Sequence, residues 1–202
     1  MSEISKEKEK SILNAARKRF AHYGFSKVTM DEIAGDVEMG KASLYYYFPT
    51  KEDLFKAVVV QEQSEFVNNI ESLLRKQISA AEKLNEYVEQ RLKYFRDLVN
   101  LGALSVHSVF DIKSMFKKLF EDFEAQELIL LGKIIEEGKS NGEFSNDLSK
   151  DFVKIFLHIL QGLRFRVVKL LNEHKADEDT YKNLECEMKI ATNYLIKGIS
   201  CK

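Results

Sequence analysis

Apolar residues recur at three- and four-residue steps along most of this chain, the period of helices that bury one side. Ile12, Ala16 and Phe20, with Leu13 beside them, predict a first helix over 5–23, and Gly24 suits the left-handed turn that often closes one. Met30, Ile33, Ala34 and Val37 mark the inner face of a second helix. Its start is signalled by Thr29 and Glu32, spaced as a capping box in which each side chain meets the other's free backbone N–H. After a break at 38–40, a third, short helix runs over 41–48 and stops at Pro49, which disfavours helical geometry in the residue before it. A further cap signal, T-K-E-D at 50–53, opens a fourth helix carried by Leu54, Phe55, Val58, Val59, Phe66, Ile70 and Leu73. It reaches residue 75 or so, roughly 37 Å at about 1.5 Å per residue. Helical spacing continues over 80–99, 103–110, 112–120 and 123–140, with breaks at Gly102 and Asn141-Gly142, and then over 147–172 and 178–199. One proline and nine glycines in 202 residues, with abundant Ala, Leu, Glu and Lys, fit an all-α chain.

Two short helices joined by a tight turn make a helix-turn-helix, whose second helix can enter the DNA major groove. On the 41–48 helix, Leu44 and Phe48 share the inward face, which leaves Lys41, Ser43, Tyr45, Tyr46 and Tyr47 with much of the outer surface. A purely structural helix rarely gives three consecutive tyrosines to solvent, and the plainer alternative is that they pack on neighbouring helices. Hydroxyls, a lysine and a serine are donors suited to phosphate oxygens, and Ser43 near the helix start could also reach a base edge. The first helix would pack across these two, giving a three-helix DNA-binding domain over 1–50 (helix-turn-helix about 29–48) and a larger helical domain over 51–202. The helix beginning at Lys51 connects them.

At these positions the sequence resembles the TetR family of bacterial transcription regulators. That family's pattern is met by Thr29, Ile33, Ala34, Lys41, Ser43, Leu44, Tyr45, Tyr46, Phe48 and Lys51 in one register. Three positions depart from it. Glu38 stands where the family usually has Gly, so the turn is expected to change shape or carry strain. Gly40 replaces a Ser or Thr cap and keeps only its backbone N–H as a donor, and Tyr47 replaces a His. The resemblance implies DNA contacts from Thr29, Gly40, Lys41, Ser43, Tyr45, Tyr46, Tyr47 and Lys51. It also implies a small-molecule effector that enters the second domain and displaces the helix starting near Lys51. The Gly-Glu-Phe at 142–144, ending a helix before a short loop, resembles another feature common in the family.

In the second domain, phenylalanines crowd together at 95, 110, 116, 120 and 123. They read either as the lining of an apolar ligand pocket or as ordinary core, and periodicity alone does not separate the two. The candidate pocket set is Phe95, His107, Phe110, Phe116, Phe120, Phe123, Phe156 and His158. His107 and Asp111, four apart, are too few for a metal site. His158 fits a pocket polar group or a satisfied core histidine. Stripes on the last two helices predict a four-helix interface between two copies, drawn from Phe152, Ile159, Leu163, Val167, Leu184, Met188, Ala191 and Leu195. A monomeric bundle with the same helices buried is the alternative. Dimerisation is favoured because a helix-turn-helix normally reads two half-sites one helical turn apart.

Charge adds little. The chain holds 31 basic and 32 acidic residues. Residues 1–51 have nine Lys/Arg against seven Asp/Glu, a net +2 that leaves −3 for the remainder. DNA affinity must therefore come from local placement and duplication. No run of eighteen apolar residues occurs and no signal peptide opens the sequence, so no membrane association is expected. Cys186 and Cys201, far from any C-x-x-C spacing, suggest reduced thiols and a cytoplasmic protein. There is no phosphate-cradling glycine loop, no H-E-x-x-H and no G-x-S-x-G. Adjacent acids such as Glu136 and Glu137 point apart on a helix. No catalytic residue, metal or cofactor is expected. The expectation is a homodimeric transcriptional regulator, a repressor that binds a near-palindromic double-stranded operator and is released by an apolar or amphipathic small molecule. An activator, or a helical protein-interaction module without small-molecule control, stands as the alternative.

Overall fold

A computed structural model of the chain describes residues 3–102, 116–170 and 178–201. Among these lie eight α-helices: α1 Glu3–Tyr23, α2 Met30–Asp36, α3 Lys41–Tyr47, α4 Lys51–Leu74, α5 Ala80–Gly102, α6 Lys117–Ser140, α7 Phe152–Leu170 and α8 Glu178–Ile199. The helix expected over 103–110, and the first four residues of that over 112–120, fall outside the described residues. The helix expected from 123 already begins at Lys117, and that expected from 147 begins only at Phe152. The second difference has a local cause. Ser145 Oγ accepts from the Asp147 N–H at 3.2 Å and Ser149 Oγ from that of Asp151 at 3.2 Å, so serine turns compete with helix there.

The chain divides into two compact units, residues up to Ser64 with Phe95–Phe116, and Glu65–Tyr94 with Lys117 onward. The compact division thus falls within α4, whereas the sequence boundary at 50/51 follows the start of that helix. In the first unit, Ile12, Ala16 and Phe20 of α1 meet Val28, Met30, Ile33, Leu44, Leu54, Phe55 and Val58 in a buried core. Phe20 and Phe25 both stand edge-on to Phe55 at centroid distances of 5.1 and 4.9 Å, an arrangement that aromatic quadrupoles favour. Arg19 of α1 grips Asp36 at the end of α2 through both of its carboxylate oxygens, Nη2 at 2.8 Å from Oδ1, and this bond holds the Asp36 carboxyl below its ordinary value.

The second unit encloses charge as well as apolar surface. Phe66, Tyr94 and Phe123 form an aromatic cluster with centroids 5.1–5.6 Å apart. Beside them the Tyr87 hydroxyl donates to Glu127, which Arg91 also clasps at 2.5 and 3.1 Å, all three side chains being buried. Burial, with the adjacent Glu127 charge, pushes the Tyr87 hydroxyl well above its ordinary range and keeps it a donor. Burial also drives Arg164 down to about 10, with the like charge of Arg91 acting in the same direction. Lys83, nearly inaccessible, bridges Glu137 at 2.6 and 2.8 Å and the Leu74 carbonyl at 3.0 Å.

The residues singled out for a pocket are divided between the two units. Phe95 is buried and Phe116 stacks on Phe55 at 6.1 Å in the first unit, while Phe123 and Phe156 are buried and Phe120 half-buried in the second. His158 is exposed, so its reading as an inward polar group is corrected: its position on α7 turns it to solvent. His107 and Phe110 lie outside the described residues. The members of the candidate interface set differ in exposure. Leu184 and Met188 are fully buried within the chain itself, and Phe152 nearly so, which leaves them little surface to give a second copy. Ile159, Leu163, Ala191 and Leu195 are half-buried, and the Val167 side chain lies outside those described. Among the described residues no helix is long and apolar enough to cross a membrane, and no cluster of metal-ligating side chains occurs.

Candidate nucleic-acid interface

Local bonds build the outer surface of α2 and α3. Thr29 caps α2: its Oγ1 accepts from the Glu32 N–H at 3.3 Å and donates to Glu32 Oε2 at 2.8 Å, while the Thr29 N–H meets that same carboxylate at 2.8 Å. These bonds lower the Glu32 carboxyl below its ordinary value. They also commit the Thr29 hydroxyl to the cap, so its free contribution to a phosphate is small. Helix α2 ends in a Schellman turn. The Met39 N–H reaches the Ala34 carbonyl at 2.9 Å and the Glu38 N–H that of Gly35 at 3.2 Å. The residue at the turning point must adopt positive φ, and here it is Glu38, at φ 51°, the one non-glycine residue in that region among those described. The strain expected from its sequence position is present.

Gly40 then caps α3 in extended geometry with no side-chain bond, and a Cβ built there meets nothing within 4 Å. Its carbonyl accepts from the N–H groups of Ser43 and Leu44 at 2.9 and 3.2 Å. Leu44 and Phe48 are buried, as their spacing requires, and the opposite side is open. Lys41 and Ser43 are exposed, Tyr45 is 39% exposed and Tyr46 85%, while Tyr47 is half-buried with its ring edge-on to Tyr46 at 5.7 Å. Lys41 Nζ sits 2.9 Å from Asp31 Oδ2 and 5.9 Å from the Tyr45 ring centroid. The Asp31 carboxylate raises the Lys41 ammonium above its ordinary value, so it stays charged. An exposed pair of this kind is worth little and yields readily to a competing anion.

Lys51 stands apart. Its Nζ donates to the carbonyls of Phe25 at 2.9 Å and Val28 at 3.1 Å, and lies 4.6 Å from the Phe25 ring centroid. Sequence reasoning placed it on phosphate; the structure turns it toward the link between α1 and α2. It also missed Asp31. The ten-residue separation from Lys41 carries no helical-period signal, since the two meet only once α2 and α3 are packed.

Comparison with known proteins agrees with this architecture. The family model described as bacterial regulatory proteins of the tetR family matches residues 12–58, and that of the C-terminal region of YsiA-like proteins matches residues 60–175. A transcriptional regulator from Cytophaga hutchinsonii ATCC 33406, known from its crystal structure, superposes with a TM-score of 0.87 at 40% identity, covering 94% of this chain and 97% of that one. The HTH-type transcriptional regulator RutR of Escherichia coli K12 is 32% identical over 97 residues, 48% of this chain and 45% of RutR. The chain therefore spans a little under half the length of that curated relative. The fatty acid metabolism regulator protein of Bacillus subtilis strain 168 is 21% identical over 193 residues, 95% of each chain. Matched in its head and over more than half its length beyond it, the chain belongs to the tetR family of bacterial transcriptional regulators, which are not enzymes.

Proposed function

We propose that this protein represses transcription as a homodimer, each copy setting α3 into the major groove at one half of a near-palindromic operator, and that a small apolar or amphipathic effector releases it. The observation that carries the reading is Tyr46, 85% exposed on a helix whose inner face is sealed by Leu44 and Phe48. Apart from its edge-on contact with the Tyr47 ring the side chain faces solvent, and Lys41, Ser43 and Tyr45 share its open surface. Support for self-association comes from α7 and α8, where Ile155, Phe165 and Ile190 are half exposed and Tyr194 is 72% exposed. Large apolar side chains in such numbers on neighbouring helices favour burial against a second copy. The interface therefore centres on Ile155, Ile159, Phe165, Ile190 and Tyr194, in place of the buried Leu184 and Met188. The effector's character rests on the aromatic interior of the second unit and on the relative named for fatty acid metabolism. Such a ligand releases DNA only by binding the non-DNA state more tightly, typically by about 1–3 kcal/mol.

The test is retention of genomic fragments by the purified protein at physiological salt, followed by Lys41→Ala and Tyr46→Phe. Both variants should keep the parent's thermal stability and bind the retained operator more weakly. Equal binding by both would remove these residues from the interface. If no fragment is retained by the dimer, the acids at Asp31 and Glu38 beside α3 favour the interaction-module reading instead.

A further inference from the structure

Two neighbouring acids stand in the first turn of α2, and the fold uses only one of them. Glu32 closes the cap on Thr29 and pairs with Arg19 at 3.4 Å. Asp31 takes no part in the cap. Its one bond among the described residues joins its Oδ2 to Lys41 Nζ at 2.9 Å, and both side chains are exposed. A carboxylate on the open side of a DNA-reading head repels phosphate, so its place beside α3 calls for a different partner.

Lys41 and Asp31 present a donor and an acceptor 2.9 Å apart. The major-groove edge of a base pair carries the complement, an acceptor on one base and an amino donor on the other, bonded to each other at a similar spacing. Guanine supplies O6, with N7 beside it, and cytosine supplies its N4 amino group. Lysine suits the first and a carboxylate the second. A phosphate takes Lys41 only by setting Asp31 against its own negative charge, whereas a G·C edge engages both side chains and keeps their mutual bond. In the reversed pair C·G, and in A·T, acceptor would meet acceptor. A T·A pair keeps the order but lacks the N7 acceptor on the Lys41 side.

We propose that Asp31 is a specificity-determining residue: with Lys41 it reads one guanine–cytosine pair in each half-site, Lys41 donating to the guanine and Asp31 accepting from the cytosine N4 amino group. The contact rests on the DNA-binding reading, and the experiment tells the two failures apart. Duplexes are selected from a randomised pool by the parent dimer, by Asp31→Ala and by Asp31→Asn; both substitutions are at an exposed site and should melt with the parent. The parent should fix a G·C pair at one position of each half-site. Asp31→Ala should relax that position alone, and Asp31→Asn should move it toward T·A, whose adenine suits an asparagine amide.

Replacing that cytosine in one half-site by a pyrimidinone base without the N4 amino group isolates the bond. The loss shared by the parent and Asp31→Ala reports weakened base pairing, and the parent should lose about five- to a hundredfold more affinity than the variant. Equal losses, or a parental consensus bound more tightly by Asp31→Ala, make Asp31 a solvated acid that only repels phosphate and overturn the proposal. A parent consensus with no G·C pair sensitive to Asp31 also overturns it while the DNA-binding reading stands. A parent that enriches no sequence sinks that reading and this contact together.

Discussion

Helices α2 and α6 end in the same turn, built from different residues. After α6 the Glu143 N–H reaches the Gly138 carbonyl at 2.9 Å and the Gly142 N–H that of Lys139 at 3.1 Å, the pattern seen at Met39 and Glu38 after α2. The turning residue is Gly142 at φ 73° in one and Glu38 at φ 51° in the other. Around Gly142 everything serves packing. Phe144 is buried against Gly138, and the strand-like exchange of Glu143 and Ser145 with Cys201 and Ile199 ties the turn to the end of α8 at 3.0 and 2.8 Å. Around Glu38, itself exposed, Val37 and Met39 are half-buried, and the turn leads into α3. The ion pairs follow the same division. Glu127 and Arg91 are sealed in the second unit, while Lys41 and Asp31 stand in solvent, each near 60% exposed, where a competing phosphate can reach them. Residues that hold the fold are buried and exact in fit; those offered to a partner are open and mildly strained.

The sharpest break of that contrast is in the buried pair. Arg91→Met leaves the Glu127 carboxylate enclosed without its bonded cation, with the Tyr87 hydroxyl and the charge of nearby Arg164 as partial compensation, and should destabilise the protein by about 3–5 kcal/mol in chemical denaturation. Arg91→Met combined with Glu127→Leu should recover most of the loss, because the penalty is an uncompensated charge. A single variant as stable as the parent would mean the site is wet and the enclosure wrong. Next in size is Gly138→Ala. A Cβ there would stand 2.2 Å from Phe144 Cδ2 and 2.9 Å from the Ala80 Cβ. Overpacking of this kind costs about 1–3 kcal/mol, more than the helix propensity alanine gains. The measured stability should fall, and the double variant with Phe144→Leu should restore part of it.

The head was more legible in the sequence than the second unit, for a physical reason. Thr29 and Glu32, or Leu44 and Phe48, act within one or two turns of helix, so spacing along the chain reveals them. The Glu38 strain was legible only through the resemblance to a family that usually has Gly at that position; the hydrogen-bonded turn that requires positive φ there is seen in the structure. Glu127 and Arg91 are 36 positions apart and meet across two helices, so nothing local marks either as buried. Apolar stripes on α7 and α8 likewise told which residues were apolar and not which of two sides each faced. That ambiguity put Leu184 and Met188, which are buried within the chain, in the candidate interface set and left out the exposed Ile155 and Tyr194.

The smallest expected effect bears most directly on the two turns. Left-handed geometry costs a side chain about 1–2 kcal/mol, and glycine gives back about 0.4–1 kcal/mol through its freer unfolded state. Glu38→Gly should therefore stabilise the protein by about 0.5–1 kcal/mol and leave the Met39–Ala34 bond intact, whereas Gly142→Ala should destabilise it by a similar amount. Charge is separated from backbone by Glu38→Gln, which keeps the strain and removes the acid beside α3. That variant should match the parent in denaturation while binding operator more tightly, since one like charge facing the phosphates is gone. Were Glu38→Gln to give the whole stability gain of Glu38→Gly, the turn would be limited by repulsion, and the backbone contrast with Gly142 would be void.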